Sequence, residues 1–275
     1  MTSQSLSTTP VTMPRLMGIV NVTPDSFSDG GKYLEGQTAI AHGLALLEEG
    51  AQILDIGGES TRPQAEEISV EEELSRVMPV IEGLRKKTDA ILSIDTRKPD
   101  VALKAIEAGA SIWNDVSALT FDDRSIAIAA KLECEIVLMH AQGLPADMQD
   151  NPHYENVVGE VREALLGRVH ACILSGVERN RLIIDPGIGF GKTLDHNLAL
   201  TRNLDVFVKT GLPVMYGASR KSLIGAMDAN APANERLGGS LALALEAASK
   251  GASILRVHDV AQTRQALAVW AFINR

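Results

Sequence analysis

LIIDPGIGFGKT, residues 182–193, sets the reading of this chain. An apolar run ends in a carboxylate, Asp185, and is followed by a rigid proline and three glycines in close order. This is the pattern of a buried strand that presents an acid at its end, beside a loop whose bare backbone lets a ligand come close. The nearest mechanistic motif is the phosphate-cradling loop GxxxxGK[ST]. Here only three residues, Ile188, Gly189 and Phe190, separate Gly187 from Gly191-Lys192-Thr193, one fewer than that loop needs. A nucleoside-triphosphate loop is therefore excluded on spacing. What remains is a strand-end acid beside a glycine loop, and the rest of the chain repeats the plan.

Outward from this stretch, short apolar runs alternate with helical periodicity. The runs predict strands at residues 16–20, 53–56, 91–94, 112–113, 136–139, 182–184, 214–216 and 254–257. Between and after them the spacing predicts helices at 38–49, 71–87, 99–107, 124–132, 157–174, 196–208, 234–249 and 260–274. Three segments share one design: GAQILD at 50–55, GASIWN at 109–114 and GASILR at 251–256. Each has a helix-ending glycine, a short turn, two apolar strand residues and a polar residue at the strand end. Strands joined by helices are parallel, and eight of them close into a barrel. The expected architecture is α/β, a single (β/α)8 TIM barrel over residues 15–275, with a flexible tail at 1–14 and the ligand site at the C-terminal strand ends.

Composition agrees with that class. A chain of 275 residues is a usual length for one such barrel, and 45% hydrophobic residues suffice for a large core. The formal charge of −9 disfavours nucleic acid and anionic membrane surfaces as partners. No apolar run reaches the roughly 18 residues of a membrane span, and residues 1–14 lack the charged and apolar regions of a signal peptide. A cytoplasmic location is the expectation. Cys134 and Cys172 form no metal or redox spacing and read as small core residues.

The predicted strand ends collect Asn21, Asp55, Asp95, Asn114, His140, Asp185, the Ser219-Arg220-Lys221 group, and Arg256 with His258. A single Asn or Asp at such a place is as readily a helix cap as a ligand group. Polar residues at every strand end of one face exceed what capping needs. Asp95, Asn114 and Asp185 suit the amidine-like edge of a flat heterocycle. Arg62, Lys221, Arg256 and His258 suit phosphate oxygens. No nucleophile elbow and no HExxH motif is present, which disfavours covalent and zinc catalysis. Long segments at 23–36 and 57–69 have the length and Gly/Pro content of active-site lids.

At this point eight motifs, in order, resemble those of the dihydropteroate synthase family: MGIVNVTPDSFSDGG (17–31), GGESTRP (57–63), SIDT (93–96), NDVS (114–117), LMHAQG (138–143), DPGIGFGK (185–192), GASRKS (217–222) and RVHDV (256–260). The resemblance implies condensation of 6-hydroxymethyl-7,8-dihydropterin pyrophosphate with p-aminobenzoate, giving 7,8-dihydropteroate and pyrophosphate, in an enzyme class targeted by sulfonamides. It implies Asp95, Asn114, Met139, Asp185, Lys221 and Arg256 at the pterin, with Arg256 stacked on its face. It also implies Asn21 at a Mg²⁺ ion and, with Thr61, Arg62, Arg256 and His258, at the pyrophosphate. Phe190, Pro63, Thr61, Arg62, Ser219 and Lys221 would frame p-aminobenzoate, joined by Phe27 and Asp29 when the first loop closes. Lys221, Arg256, Asp95 and Asp185 are the catalytic candidates, and a homodimer is the expected assembly, with the last two helices as candidate surfaces.

Two positions depart from the family pattern: Gln64 where a small glycine is usual, and Ala141 where a second methionine is usual. Plain structural roles stand beside the functional ones. Phe190 can plug the barrel mouth, His258 can cap the following helix, and His140 can orient its loop; Asp115 and Asp259 read as caps, and Asp55 as support without ligand contact. His42, His153, His170 and His196 read as surface residues. The rival functions are a pterin-binding methyltransferase acting on methyltetrahydrofolate and a catalytically silent pterin-binding barrel. The STRP and SRK motifs argue against the first, and the presence of Asn21, Arg62 and Lys221 against the second.

Overall fold

The structure, a computed structural model, describes residues 13–22, 31–60, 65–143 and 148–274. Eight strands run parallel in one sheet: β1 (Arg15–Asn21), β2 (Ile53–Gly57), β3 (Ile91–Asp95), β4 (Ile112–Asp115), β5 (Glu135–Met139), β6 (Leu182–Asp185), β7 (Met215–Tyr216) and β8 (Ile254–Val257). Their order is β6-β5-β4-β3-β2-β1-β8-β7. A parallel bridge between Ile184 and Val214 joins β6 to the start of β7, so the sheet curls round on itself as the alternating pattern requires.

Around the strands lie α1 (Gly31–Glu49), α2 (Val70–Arg85), α3 (Pro99–Glu107), α4 (Ser125–Lys131), α5 (Val157–Leu174), α6 (Leu194–Arg202), α7 (Leu204–Val208), α8 (Ser222–Met227), α9 (Leu237–Ser249) and α10 (Val260–Ile273). Ten helices among the described residues replace the eight expected. The segment predicted as 196–208 is broken at Asn203, whose φ of −110° leaves the helix and whose Nδ2 donates to the Ala199 carbonyl at 2.8 Å. It also begins earlier, because Thr193 and His196 form a reciprocal cap: Thr193 Oγ1 accepts from His196 N at 3.2 Å, and His196 Nδ1 accepts from Thr193 N at 3.3 Å. His196 is thus a capping residue, edge-on to Tyr154 with ring centres 4.9 Å apart, and not an idle surface histidine. The short α8 follows a left-handed turn at Arg220 (φ 58°) that apolar spacing could not signal. The first turns of α1 contain Gly31 and Gly36, poor helix formers that hide its start from pattern reading.

The glycines ending the repeated αβ units behave as expected. Gly50, Gly109 and Gly251 have φ of 110°, 107° and 91°, which carries the chain out of each helix and into the next strand.

Two apolar bodies fill the molecule. The larger lies between sheet and helices and includes Leu54, Ile94, Trp113, Phe207 and Tyr216, with both free cysteines buried in it. The polar atoms of its largest rings are matched: Trp113 Nε1 donates to Thr96 O at 2.8 Å, and Tyr216 pairs with Thr201 at 2.8 Å. The smaller body fills the barrel: Met17, Ile53, Ile112, Val137, Ile183, Met215 and Ile254. Because side chains alternate along a strand, the residues two positions further on share that inward face. These include Asp55, Asn114, Met139, Asp185 and Arg256, at the C-terminal mouth. Among the described residues no helix is long and apolar enough to cross a membrane.

Candidate active site

One half of the mouth is organised by Arg256. Its Nε donates to Asp55 Oδ2 at 2.6 Å and its NH2 group to Asp95 Oδ2 at 2.7 Å, while Asn114 Nδ2 donates to the same Asp55 oxygen at 3.0 Å. The guanidinium plane is therefore fixed from two sides. Burial works against its charge, but Asp55 and then Asp95 outweigh this and hold it more firmly protonated than a free arginine. Burial raises the Asp95 carboxyl above the usual range, with Arg256 pulling it down and Asp55 adding to the rise. The second oxygens of Asp55 and Asp95, both Oδ1, are buried with no hydrogen-bond partner among the described residues. Two unused acceptors beside a clamped cation are what a flat N–H-rich ring would fill.

The other half is the glycine loop. Asp185 closes its start by accepting from Gly187 N at 2.7 Å. Burial raises Asp185, and Lys221 opposes that rise. Lys221, which follows β7, donates to the Ile188 carbonyl and lies 4.5 Å from the centre of the Phe190 ring. Burial pulls its ammonium down to about 8, against Asp185. Glycine is required where this loop meets the one after β5. A Cβ on Gly187 (φ 68°) would sit 1.9 Å from His140 O, and one on Gly191 (φ 62°) 2.1 Å from Gln142 O.

Ser219 and His258 come together at the rim between these halves. Ser219 Oγ accepts from His258 N at 3.2 Å and lies 3.0 Å from His258 Nδ1. Asn21 ends β1, half-buried at the same face, and Met139 ends β5, buried. Met139, Ala141 and Phe190 also line a cavity of about 690 Å³ beside the site, so the alanine in the LMHAQG motif faces open space. Phe27, Asp29, Thr61, Arg62, Pro63 and Gln64 lie outside the described residues.

Several residues do other than the sequence suggested. Asp115 caps no helix. It is fully buried and accepts from Ser117 N (2.7 Å), Ser117 Oγ (2.7 Å) and Leu119 N (3.0 Å), holding a turn in which Ala118 and Leu119 both have positive φ. Asp259 precedes α10 but makes no side-chain cap; its carboxylate takes the guanidinium of Arg220. Asp55, by contrast, acts as the support expected of it: it is the shared acceptor of Arg256 and Asn114. Glu59, inside GGESTRP, is a junction of side-chain bonds. It binds Lys98 Nζ (2.8 Å), Arg97 Nε (3.1 Å) and the Ile68 amide (3.1 Å), tying both roots of the second loop to the two residues just before α3. No linear spacing announces those partners.

A (β/α)8 barrel with paired carboxylates, an asparagine and a clamped arginine at its mouth, beside a lysine over an aromatic ring, defines the class of barrel proteins that hold a flat nitrogen heterocycle. The family model described as "Pterin binding enzyme" matches residues 17–258. A dihydropteroate synthase from Haemophilus influenzae is 47% identical over 260 residues, covering 94% of each chain. Among solved structures, Xanthomonas albilineans dihydropteroate synthase with 4-aminobenzoic acid superimposes with a TM-score of 0.90 at 49% identity, covering 96% of this chain and 94% of that one. The same organism's enzyme in complex with 7,8-dihydropteroate gives a TM-score of 0.87 at 46% identity, with the same coverage. The chain belongs to the dihydropteroate synthase family of pterin-binding enzymes.

Proposed function

We infer that the chain is a dihydropteroate synthase, joining 6-hydroxymethyl-7,8-dihydropterin pyrophosphate to p-aminobenzoate with release of pyrophosphate, and that sulfonamides compete for its arylamine site. The observation that carries this reading to individual residues is the buried Asp95 Oδ1, an acceptor without a partner among the described residues beside the clamped Arg256. In this reading Asp95, Asn114 and Asp185 take the donor edge of the pterin, Met139 lines the slot and Arg256 stacks on the ring. Phe190, Lys221 and Ser219 frame p-aminobenzoate together with Thr61, Arg62, Pro63 and Phe27. Asn21, Arg256 and His258 face the pyrophosphate with Thr61 and Arg62.

Among the described residues no group of three or more His, Cys, Asp or Glu side chains could hold a metal. The side-chain amide oxygen of Asn21, at the mouth end of β1, fits a Mg²⁺ ion that takes its remaining ligands from phosphate and water. Bound there, Mg²⁺ would supply neutralising charge for the departing pyrophosphate. The chain's own part is electrostatic. Asp95 and Asp185 favour positive charge developing on the pterin as its C–O bond to pyrophosphate breaks, and Arg256 and His258 receive the leaving anion. The arylamine is neutral at pH 7, so its nitrogen attacks the methylene carbon without a strong base and sheds its proton afterwards. The proposal is a dissociative order, with bond breaking ahead of attack. Positional isotope exchange in the pterin pyrophosphate without p-aminobenzoate is expected; its absence rules the order out.

The reading also brings a homodimer and a cytoplasmic location. Val269, Phe272 and Ile273 are exposed on α10, an apolar surface suited to a second copy. Sedimentation showing only monomer at micromolar concentration removes the dimer. The test of the function itself is pyrophosphate release with Mg²⁺, with and without p-aminobenzoate, for wild type and Lys221→Ala. Release coupled to dihydropteroate formation and lost in the variant is the expected result. Pterin binding without turnover in wild type would favour the methyltransferase or silent barrel.

A further inference from the structure

Five consecutive carbonyls of the glycine loop, from Ile188 to Lys192, each accept from a different side chain. Their donors are Lys221, Gln149 (2.6 Å), Lys192 itself (2.9 Å), Tyr154 (3.0 Å) and Asn197 (3.3 Å). A loop without a ladder must satisfy its backbone in some such way. Lys192 stands apart from the other donors. It is only 3% exposed, and its ammonium reaches back beneath its own loop to Phe190 O at 2.9 Å, His140 Nδ1 at 3.0 Å and His140 O at 3.2 Å. Three acceptors meet the three N–H groups of an ammonium. The cation thereby joins the loops after β5 and β6 at the place where Gly187 and Gly191 already press against the backbone of residues 140 and 142.

Those partners are two carbonyls and an imidazole, not a carboxylate. The imidazole is neutral, since burial and then Lys192 push His140 down to about 3. Burial and then Lys221 also depress Lys192 itself, to about 7, against Asp185. A methionine would fill the same space without removing a charge from water. An ammonium held there at a cost to stability points to something that it holds. The group it holds most directly is the backbone of Phe190, whose ring lies against Lys221.

We infer that Lys192 is a positioning residue for the arylamine: by tying the Phe190 carbonyl to the end of β5, it sets the orientation in which Phe190 and Lys221 frame the acceptor substrate. This rests on the proposed placing of p-aminobenzoate at Phe190. The lysine that made this stretch resemble a phosphate loop is, in this inference, turned inward as a strut.

The test compares steady-state kinetics of Lys192→Met, Phe190→Ala and wild type with Mg²⁺ and both substrates, alongside calorimetric binding of dihydropterin pyrophosphate. For Lys192→Met, KM for p-aminobenzoate should rise by about 10-fold or more while kcat and pterin affinity stay within about 3-fold, since misplacing a binding wall costs that much without touching the other subsite. Equal losses in pterin affinity and arylamine KM would overturn the inference by making Lys192 a general support of the mouth. If Phe190→Ala raises the arylamine KM and Lys192→Met does not, the strut fails and the proposed arylamine site stands. If Phe190→Ala leaves that KM unchanged, the arylamine site fails and the inference with it. Should Lys192→Met not fold, His140→Leu removes one of the three acceptors: a smaller rise in the same KM supports the strut, and no change overturns it.

Discussion

Ile53, Ile112, Ile183 and Ile254 pack on one another inside the barrel, and Asp55, Asn114, Asp185 and Arg256 follow each of them by two residues on the same strands. The two layers share one face of the sheet and lie roughly 7 Å apart along it. Both are largely shielded from water, yet their energetics are opposed. The lower layer gains from every apolar contact it buries, on the order of 1.5–3 kcal/mol for each large side chain. With Asp95 of β3, the upper layer removes three carboxylates and a guanidinium from water and leaves one oxygen each of Asp55 and Asp95 without partners among the described residues, an arrangement that a packed apolar layer would match or better in stability. The strands thus spend one rung on holding the barrel shut and the next on holding something else.

The largest effect should come from breaking the upper layer one-sidedly. Arg256→Met leaves Asp55 and Asp95 facing each other without their cation, with an expected loss of about 3–5 kcal/mol in denaturant unfolding and no measurable turnover. Replacing the set together, as Asp55→Leu/Asp95→Leu/Arg256→Met, should recover that stability while leaving the enzyme inactive; a triple variant as unstable as the single one would show that the charged layer is structural after all. Next in size is the lower layer. Ile183→Ala should cost about 2–4 kcal/mol through the cavity it opens, with KM for both substrates unchanged within about 2-fold. A shift in pterin affinity there would mean that the two layers are not separable.

The comparison also marks what the sequence could reveal. The period of two, the strand-ending polar residues and the helix-ending glycines lie in the chain itself, so the barrel and most of its mouth were legible as far as Arg256. Pairings across the barrel were not: nothing near Asp55 says that Arg256, 201 positions later, will share its carboxylate. Local polar chemistry misled where two uses look alike. Asp115 and Asp259 stand where a cap would stand, and only three dimensions show that one holds a left-handed turn and the other an arginine. The spacing that excludes a phosphate loop leaves the direction of Lys192 open, because the path of its loop turns on positive φ at Gly187, Gly189 and Gly191, which composition allows but does not dictate.

Asp115 offers a sharper cut, because it follows Asn114 on β4 and so points to the opposite face. Burial raises its carboxyl to about 6, against the hydrogen bonds from Ser117 and Leu119. Below the unfolded value of about 4 both states carry the proton. As pH rises from there to about 6 the unfolded chain ionises first, so the folded state loses stability over that window. Asp115→Asn keeps an oxygen for Ser117 but loses the acceptor for Leu119 N. It should cost about 1–3 kcal/mol and flatten the decline between about pH 4 and 6, without changing the arylamine KM. An unchanged slope in the variant would assign the decline to Asp95 or Asp185 instead.

The smallest effect separates the layers by titration. Lys221 is a charge in the upper half, and burial brings its ammonium down to about 8 while Asp185 resists. Above that pH wild type loses the cation beside Phe190, and kcat/KM for p-aminobenzoate should fall along a limb with an apparent pKa near 8. Arginine stays protonated throughout this range. Lys221→Arg should therefore lose less than about 10-fold in rate at pH 7, through its poorer fit, while its alkaline limb moves upward by about one unit or more. Ile183→Ala, which removes nothing that titrates, should keep the wild-type profile. Lys192, depressed to about 7, is the other lysine that could produce such a limb; a limb that survives in Lys221→Arg and disappears in Lys192→Met would move the pH-sensing charge from the arylamine wall to the strut behind it.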